Sequence, residues 1–215
     1  IFKYSHERLS FVGPNLAKAP ELMSKLCRIG VQNIEKNNYD EHVVLNWFDF
    51  VRKFIFPATP LLAANPAVAI DVYSMMKLFP FEKRYLLYNE MTSKLSQDDV
   101  FIKVAFNKAE RDTKNALKSL SIDNLGTQSR KIAKIVSTNP LATLPSVIGQ
   151  IENYDKVSEL IVATSKFFND FAYDVLQYTL LLKLTSGRNS TQADGVNQMM
   201  WVQRLAVFIA DLVKN

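Results

Sequence analysis

The helical spacing of its apolar residues is the feature that most constrains this chain. Apolar side chains recur every three or four positions along nearly all of its 215 residues, and only six glycines interrupt them. That period is typical of α-helices with one buried face, whereas the alternating pattern of half-buried strands is scarcely found. The sequence therefore predicts an all-α fold.

Nine helices are expected from this pattern and from the residues that interrupt it. They span roughly 20–37, 40–56, 66–78, 80–95, 97–120, 128–138, 140–153, 155–185 and 195–213. Asn65-Pro66 and Asn139-Pro140 each place an N-cap amide before a proline at the first helical position, and Asp155 is a third expected cap. The polar segments 121–129 and 185–195 are predicted loops, and the loop near 186–195 is expected to be flexible.

Short connections between these helices indicate antiparallel neighbours. The nine predicted helices therefore group into four antiparallel pairs and a last single helix. Each pair spans about 40 residues, which is the period of HEAT repeats. We therefore expect residues 1–215 to form a single domain of antiparallel helix pairs, stacked as a HEAT-like α-solenoid. A compact irregular bundle stays open, because the units share almost no sequence identity. The residues expected to be buried are Trp47, Phe54, Leu86, Phe106, Ile132, Ile148, Leu160 and Phe171.

No catalytic or metal-binding motif stands out in the sequence. The lone Cys27 excludes an internal disulfide, and together with His6 and His42 it does not make a usual structural zinc site. Neither a phosphate loop nor a dinucleotide-binding fingerprint is present. Asp98 and Asp99 are better explained by the dipole of the helix that they open than by acid–base catalysis. We expect a protein that is not an enzyme and uses no cofactor, metal or small-molecule substrate.

Charge and the ends of the sequence suggest where the chain works. The net charge is +5, spread through the sequence, which favours weak attraction to nucleic acid or acidic surfaces. No uncharged apolar run is long enough for a membrane span, so no membrane partner is expected. The first residues, IFKYSHERLS, include neither an initiator methionine nor the apolar region of a signal peptide. We expect an intracellular protein and a fragment excised from a longer chain.

Two aromatic clusters allow two interpretations. The aromatic side chains either pack in the core or form platforms on which nucleic-acid bases stack. Because they recur at spacings of three and four residues, we favour core packing. The members are Trp47, Phe48, Phe50, Phe54 and Phe56 in one cluster, and Phe167, Phe168, Phe171 and Tyr173 in the other.

A row of basic residues is the candidate binding surface. Lys103, Arg111, Lys114 and Lys118 fall within an arc of about 80° on the helix predicted at 97–120, if each residue turns the helix by about 100°. The opposite face holds Phe101, Ala105, Ala109, Ala116 and Leu120 and is expected to pack on the core. Arg130, Lys131 and Lys134 add a second basic turn after the next loop. These cations either form an ordinary solvated face or contact phosphates or an acidic partner.

Residues 79–91, FPFEKRYLLYNEM, carry a resemblance to a known family. The segment resembles one in the large scaffold subunit of the THO complex, the second subunit, in which a proline precedes an Arg-Tyr-x-Leu-Tyr run. Arg84 and Tyr85 match this run directly. Arg84, Tyr85, Leu86 and Tyr88 are expected to form a packing hub, with Leu86 and Met91 facing inward and Lys83 and Arg84 facing solvent. Met91 departs from the family pattern, which has an aromatic residue there.

Three further segments resemble the same family in the same order. They are DFVRKFIFPATPLLAANPAVAIDVYSMMKLF, SRKIAKIVSTNPLATLPSVIGQIENYDKVSELI and NDFAYDVLQYTLLLKL, so that the resemblance extends over about residues 49–184. Little of it is visible before residue 40.

The resemblance implies the middle helical-repeat region of a nuclear scaffold that couples transcription to packaging and export of messenger RNA. It implies other THO subunits and a DEAD-box RNA helicase as partners. The region is similar to the HEAT-type middle domain with which a translation initiation factor scaffold holds and stimulates its own DEAD-box helicase. Three classes of function compete: a scaffold that docks a helicase, a basic HEAT-type module that binds RNA or DNA directly, and an enzyme with an unfamiliar site.

Overall fold

The computed structural model describes residues 9–63, 65–154, 157–192 and 198–214. The expected cap Asp155 and the histidine His6 lie outside these residues. Apart from an isolated antiparallel bridge between Thr191 and Gln198, the described residues form no β-structure, which confirms the all-α fold. In this part of the chain, no helix combines the length and the apolar character that crossing a membrane requires.

Ten α-helices of nine residues or more form the framework. They are α1 (Pro20–Lys36), α2 (Glu41–Phe50), α3 (Pro66–Met76), α4 (Phe81–Glu90), α5 (Val100–Lys118), α6 (Leu125–Val136), α7 (Pro140–Asn153), α8 (Val157–Ser165), α9 (Asp170–Leu184) and α10 (Met200–Lys214). Shorter helical turns are 3-10 helices at Gly13–Lys18, Thr59–Leu61 and Ile122–Asn124, and single α-turns at Phe56–Ala58 and Ser96–Asp98. Two five-residue π-helices, Val51–Ile55 and Met91–Leu95, directly continue α2 and α4.

The helix expected at 155–185 is in fact two helices, α8 and α9, so that prediction is wrong. Asn169 caps α9, because its side-chain oxygen accepts a hydrogen bond from the N–H of Ala172 at 2.9 Å. The Tyr173 hydroxyl donates to the carbonyl of Ser165 at 2.8 Å, which satisfies an end group of α8. Local capping thus overrides an apolar periodicity that runs through the break.

Other local expectations meet mixed outcomes. Segment 121–129 is only partly a loop, because a capping box between Ser121 and Asn124 starts a 3-10 turn and α6 begins at Leu125. Asn65 occupies the N-cap position of α3 without a capping hydrogen bond from its side chain. Asp99 caps α5 by accepting from the N–H groups of Phe101 and Ile102 at 2.9 and 3.0 Å, which supports the structural interpretation of that carboxylate.

The chain divides into two compact units, of which unit 1 comprises residues 1–108 and 137–139. Here α1 packs against α3, and the Gly13–Lys18 turn packs against the π-helix and short turns that follow α2. Arg28 on α1 makes an ion pair with Asp71 on α3 at 3.0 Å. The return segment 137–139 is held by a hydrogen bond from the Asn139 amide to the carbonyl of Pro60 at 3.2 Å.

Unit 2 comprises residues 109–136 and 140–215, and its centre is α7. α7 packs against α9 and α10, while α6 packs against α8. The Ser129 and Thr164 hydroxyls, both buried, form a hydrogen bond of 2.8 Å between α6 and α8. The expectation of one domain over 1–215 stays a prediction.

Most residues expected in the core are buried. Trp47, Phe54, Ile132, Ile148 and Phe171 are all less than a tenth exposed, as predicted. Phe106 and Leu160 are only half-buried, and Leu86 is 41% exposed, so the last prediction is wrong. The first aromatic cluster, from Trp47 to Phe56, is entirely buried, which confirms core packing over base stacking there.

Candidate functional site

The clearest basic surface lies on α6. We name Arg130, Lys131 and Lys134 the α6 basic surface; all three side chains are exposed. The other face of the helix buries Ser129, Ile132, Ala133 and Val136 against its neighbours. Because a helix brings residues three and four apart onto one side, the apolar positions fix the cations on the solvent side.

An aromatic ring extends the α6 basic surface toward the end of α8. The guanidinium of Arg130 lies 5.8 Å from the ring centroid of Phe167, which is 48% exposed. A cation over a ring face within about 6 Å is an attractive arrangement. Phe167 was expected in the core, so that part of the second aromatic cluster was predicted wrongly. Lys166, next to it, is also exposed.

The second half of α5 carries three of the four cations of the predicted stripe. Arg111, Lys114 and Lys118 are exposed in unit 2. Arg111 lies 3.6 Å from the carboxylate of Asp112, and Lys114 lies 2.6 Å from that of Glu110. Two of the three charges therefore have an acidic neighbour, and the surface attracts anions less strongly than the sequence pattern suggests.

The fourth cation of the stripe, Lys103, belongs to the first half of α5 in unit 1. Its side chain is exposed, and it makes no ion pair with any described residue. Lys108, further along the same helix, is also exposed and makes no ion pair with any described residue.

The expected packing hub on α4 is organised differently from the prediction. Tyr88 is fully buried, with its ring 5.9 Å from that of Phe56 and 6.0 Å from that of Tyr85, which is half-buried. Arg84 is half-buried and donates to the carbonyl of Phe79 at 2.7 Å, rather than facing solvent. The buried residues here are Leu87, Tyr88 and Met91, whereas Leu86 is exposed.

The end of α4 is joined to the π-helix that continues α2. Arg52 donates from Nε to Oε2 of Glu90 at 2.8 Å and forms a second, charged contact with Oε1. These hydrogen bonds, with burial acting weakly against them, raise the pKa of Arg52. Arg52 lies within a π-helix, and Glu90 ends α4 just before the second π-helix, a local geometry that apolar periodicity does not reveal.

Sequence reasoning missed a cluster around Glu152 at the end of α7. This carboxylate is 8% exposed and receives two hydrogen bonds from the Arg188 guanidinium, at 2.7 and 3.3 Å. Arg188 also lies 4.0 Å from the ring centroid of Trp201, and Trp201 donates to the carbonyl of Asn189 at 3.2 Å. Arg204 on α10 donates to the backbone carbonyl of Glu152 at 2.8 Å. Glu152 is separated by 36 residues from Arg188 and by 52 from Arg204, so no local pattern indicates the cluster.

The candidate catalytic and metal-binding side chains do not converge. Among the described residues no group of three or more His, Cys, Asp or Glu side chains is placed to hold a metal ion. His42 is exposed on α2. Cys27 is fully buried, and this burial, aided by the charge of Asp71, raises the pKa of its thiol to about 12. A protonated thiol is a poor nucleophile and a poor metal ligand.

Comparison with known protein families shows which family the sequence of this chain matches. A family model described as the THO complex subunit 2 N-terminus matches residues 1–130. The chain belongs to the THO complex subunit 2 family. A second model, described as a transcription- and export-related complex subunit, matches residues 132–206. The resemblance seen over 49–184 thus extends to the first residues, and the matching model there is that of the N-terminus rather than of the middle region.

Individual relatives agree with the family models. THO complex subunit 2 of Saccharomyces cerevisiae is 60% identical over 100% of this chain, and that of Arabidopsis thaliana is 31% identical over 97%. The human THO complex subunit 2 is 25% identical over 92% of the chain. The chain spans only 12 to 14% of the length of these relatives.

Proposed function

We propose that this chain is a helical scaffold segment of the THO complex that docks and stimulates a DEAD-box RNA helicase during nuclear packaging and export of messenger RNA. The other THO subunits are its further partners, and the nucleus is its location. The HEAT-like stacking of helix pairs predicted from the sequence is part of this proposal, because such arrays act as rigid platforms.

The observation that carries the proposal is the α6 basic surface. Three exposed cations are held on one side of a helix whose other side is buried, so they present positive charge from a fixed position. The helix is anchored by the buried hydrogen bond between Ser129 and Thr164. Complementary charge on a partner increases the association rate and fixes the orientation of docking. Holding two mobile helicase lobes partly open would ease the exchange of nucleotide and product.

Direct RNA binding is the second candidate function, and a different observation favours it. Phe167 is half-exposed beside Arg130, and the exposed Lys166 adjoins it. Aromatic rings stack on bases and cations contact phosphates in surfaces that bind single-stranded RNA. The cluster is small compared with the grooves that follow several nucleotides, so we rank helicase docking first.

Helicase stimulation tests the proposal directly. The ATPase rate of the purified helicase is measured with increasing concentrations of this chain or of the variant Arg130→Glu, Lys131→Glu, Lys134→Glu. We expect the parent to raise the rate and the variant to need at least about tenfold more protein for half of the effect, because opposed like charges at an interface cost several kcal/mol. The matched control reverses Lys36, Lys53 and Lys77, three exposed lysines of unit 1, and should behave like the parent.

RNA binding is measured in parallel at two salt concentrations. A surface that follows phosphates loses affinity steeply as salt increases, in proportion to the number of phosphates that it contacts. Loss of RNA binding in the α6 variant with unchanged helicase stimulation would favour the second candidate. Parent-like behaviour in both assays would show that the α6 basic surface is only solvated.

A further inference from the structure

The first half of α5 exposes large apolar side chains that were expected to face the core. Val100, Phe101 and Val104 are 70%, 59% and 61% exposed, whereas Ile102 is fully buried. The prediction that Phe101 packs inward is therefore wrong. Ile102 takes the inward position, and it lies about 100° around the helix from Phe101.

These apolar residues form one continuous surface with the nearby lysines. Taking about 100° per residue, the exposed positions of residues 100–108 span an arc of about 160°. Phe101 lies at one edge of the arc, Lys103 at the other, and Val100 and Val104 between them. We name Val100, Phe101, Lys103, Val104 and Lys108 the α5 face; all belong to unit 1. Exposed apolar patches rimmed by polar residues mark interaction sites.

The charges on the α5 face are of one sign, and none of the described residues forms an ion pair with them. Neither Lys103 nor Lys108 makes an ion pair with a described residue, and no acidic residue occurs between Val100 and Lys108. The nearest carboxylate in the sequence, Asp99, is occupied in capping the helix. A partner that supplies carboxylates beside an apolar stripe would complement this face.

The shape of the face selects the kind of partner. A two-turn helical surface is convex and presents ridges of side chains, which pack into the grooves of another helix. Two of its three apolar side chains are valines, and these offer no ring on which a base stacks, so RNA is disfavoured. An amphipathic helix with acidic residues bordering its apolar stripe satisfies both the shape and the charge.

We propose that the α5 face binds such an acidic amphipathic helix from another polypeptide. This inference rests on the proposed function in one respect: the partner is taken to be a component of the assembled complex. The α5 face and the α6 basic surface share no residue, and the two are tested by different variants.

Photo-crosslinking in the assembled complex tests the inference. Full-length protein carrying Val104→p-benzoylphenylalanine is assembled with the other THO subunits, irradiated, and analysed by mass spectrometry. We expect a crosslink to an apolar residue of a helix on another subunit, with Asp or Glu three or four positions away. The matched control is Ile70→p-benzoylphenylalanine, an apolar position on α3 that is 52% exposed, which should give little product.

Charge reversal then tests the electrostatic half of the inference. Adding Lys103→Glu and Lys108→Glu should lower the crosslink yield about tenfold, whereas Lys53→Glu with Lys77→Glu changes net charge equally and should leave it unchanged. The inference would be overturned if residue 104 crosslinks to RNA, to the same polypeptide or to nothing. It would also be overturned if the charge reversal leaves the crosslink yield unchanged. Co-purification of the subunits is scored separately, so a failure of assembly is attributed to the proposed function and not to the α5 face.

Discussion

Glu152 illustrates how one buried charge can order a segment that sequence alone assigns to a loop. Residues 186–192 lie outside the helices, as expected, yet Arg188 within them is held by Glu152 and Trp201. Lys183 adds a longer contact of 4.0 Å to the same carboxylate. A buried carboxylate without such partners would be costly, so the loop and Glu152 stabilise each other. The flexibility expected near 186–195 stays a prediction.

Cys27 leads to a prediction about pH and stability. Its pKa is raised from 9.0 to about 12 in the folded chain, so between these values the unfolded thiol ionises while the folded one stays protonated. The unfolded state then binds fewer protons, and stability must fall as pH rises through this window, by up to about 1.4 kcal/mol per pH unit. Urea unfolding at pH 8, 9.5 and 10.5 measures the slope.

The variant Cys27→Ala is the control for this prediction. It should be destabilised at pH 8 by the small cavity that it creates, but it should lose less stability than the parent as pH increases. Identical slopes for parent and variant would contradict the burial of the thiol.

At the level of elements, the sequence predicted helices well where apolar periodicity and capping agree. The expected helix at 140–153 corresponds to α7, and the one at 66–78 to α3 with a slightly earlier end. Prediction failed where local hydrogen bonds decide the structure, at the break between α8 and α9 and at the turns preceding α6. It also assigned the wrong face to Phe101 and Leu86, because runs of three or four consecutive apolar or aromatic residues leave the orientation of a helix ambiguous.

Two helical glycines lead to opposite predictions for the same substitution. A Cβ on Gly30 of α1 would overlap the Cε atom of Met75 and approach the Trp47 ring to 3.1 Å, whereas one on Gly149 of α7 would meet nothing within 4 Å. Gly149→Ala should stabilise the chain by up to about 1 kcal/mol, because alanine favours the helix. In the Gly30→Ala variant the same gain is offset by overpacking, which costs about 1 to 3 kcal/mol. This variant should therefore be as stable as the parent or less stable.

Thermal unfolding of the two alanine variants beside the parent measures this difference. A stabilised Gly30→Ala variant would mean that Met75 moves aside without cost, and that α1 and α3 are less tightly packed at this point than the structure indicates.

For the whole molecule, family membership was accessible from the sequence and the surfaces were not. Four segments in the same order carried the resemblance, and the family models match across all four of them. The predicted cations are exposed, but exposure alone does not distinguish a binding surface from a solvated one. The acidic neighbours of Arg111 and Lys114 lie on the same helix and can be located in the sequence, whereas the exposure of apolar side chains such as Val104 depends on how the helices rotate and pack.

A prediction at this scale concerns catalysis. The purified chain should hydrolyse neither ATP nor RNA, because the described residues bring together no nucleophile, base and orienting group and the sequence contains no phosphate loop. A coupled phosphate-release assay and a labelled RNA substrate measure this. Turnover that survives repurification and is abolished by one point substitution would contradict it.

The division of the chain into units determines how it can be cut into expression fragments. The two family models meet at residue 131, inside α6, and a cut there would separate Ser129 from Ile132 on a single buried face. Unit 1 also includes residues 137–139, so a cut after residue 108 would remove the segment that contacts Pro60. No single cut therefore yields both units intact. Binding studies of this region should therefore use point variants of the whole chain instead of truncations. Truncated products would expose core surface and be lost to aggregation or proteolysis before any partner is tested.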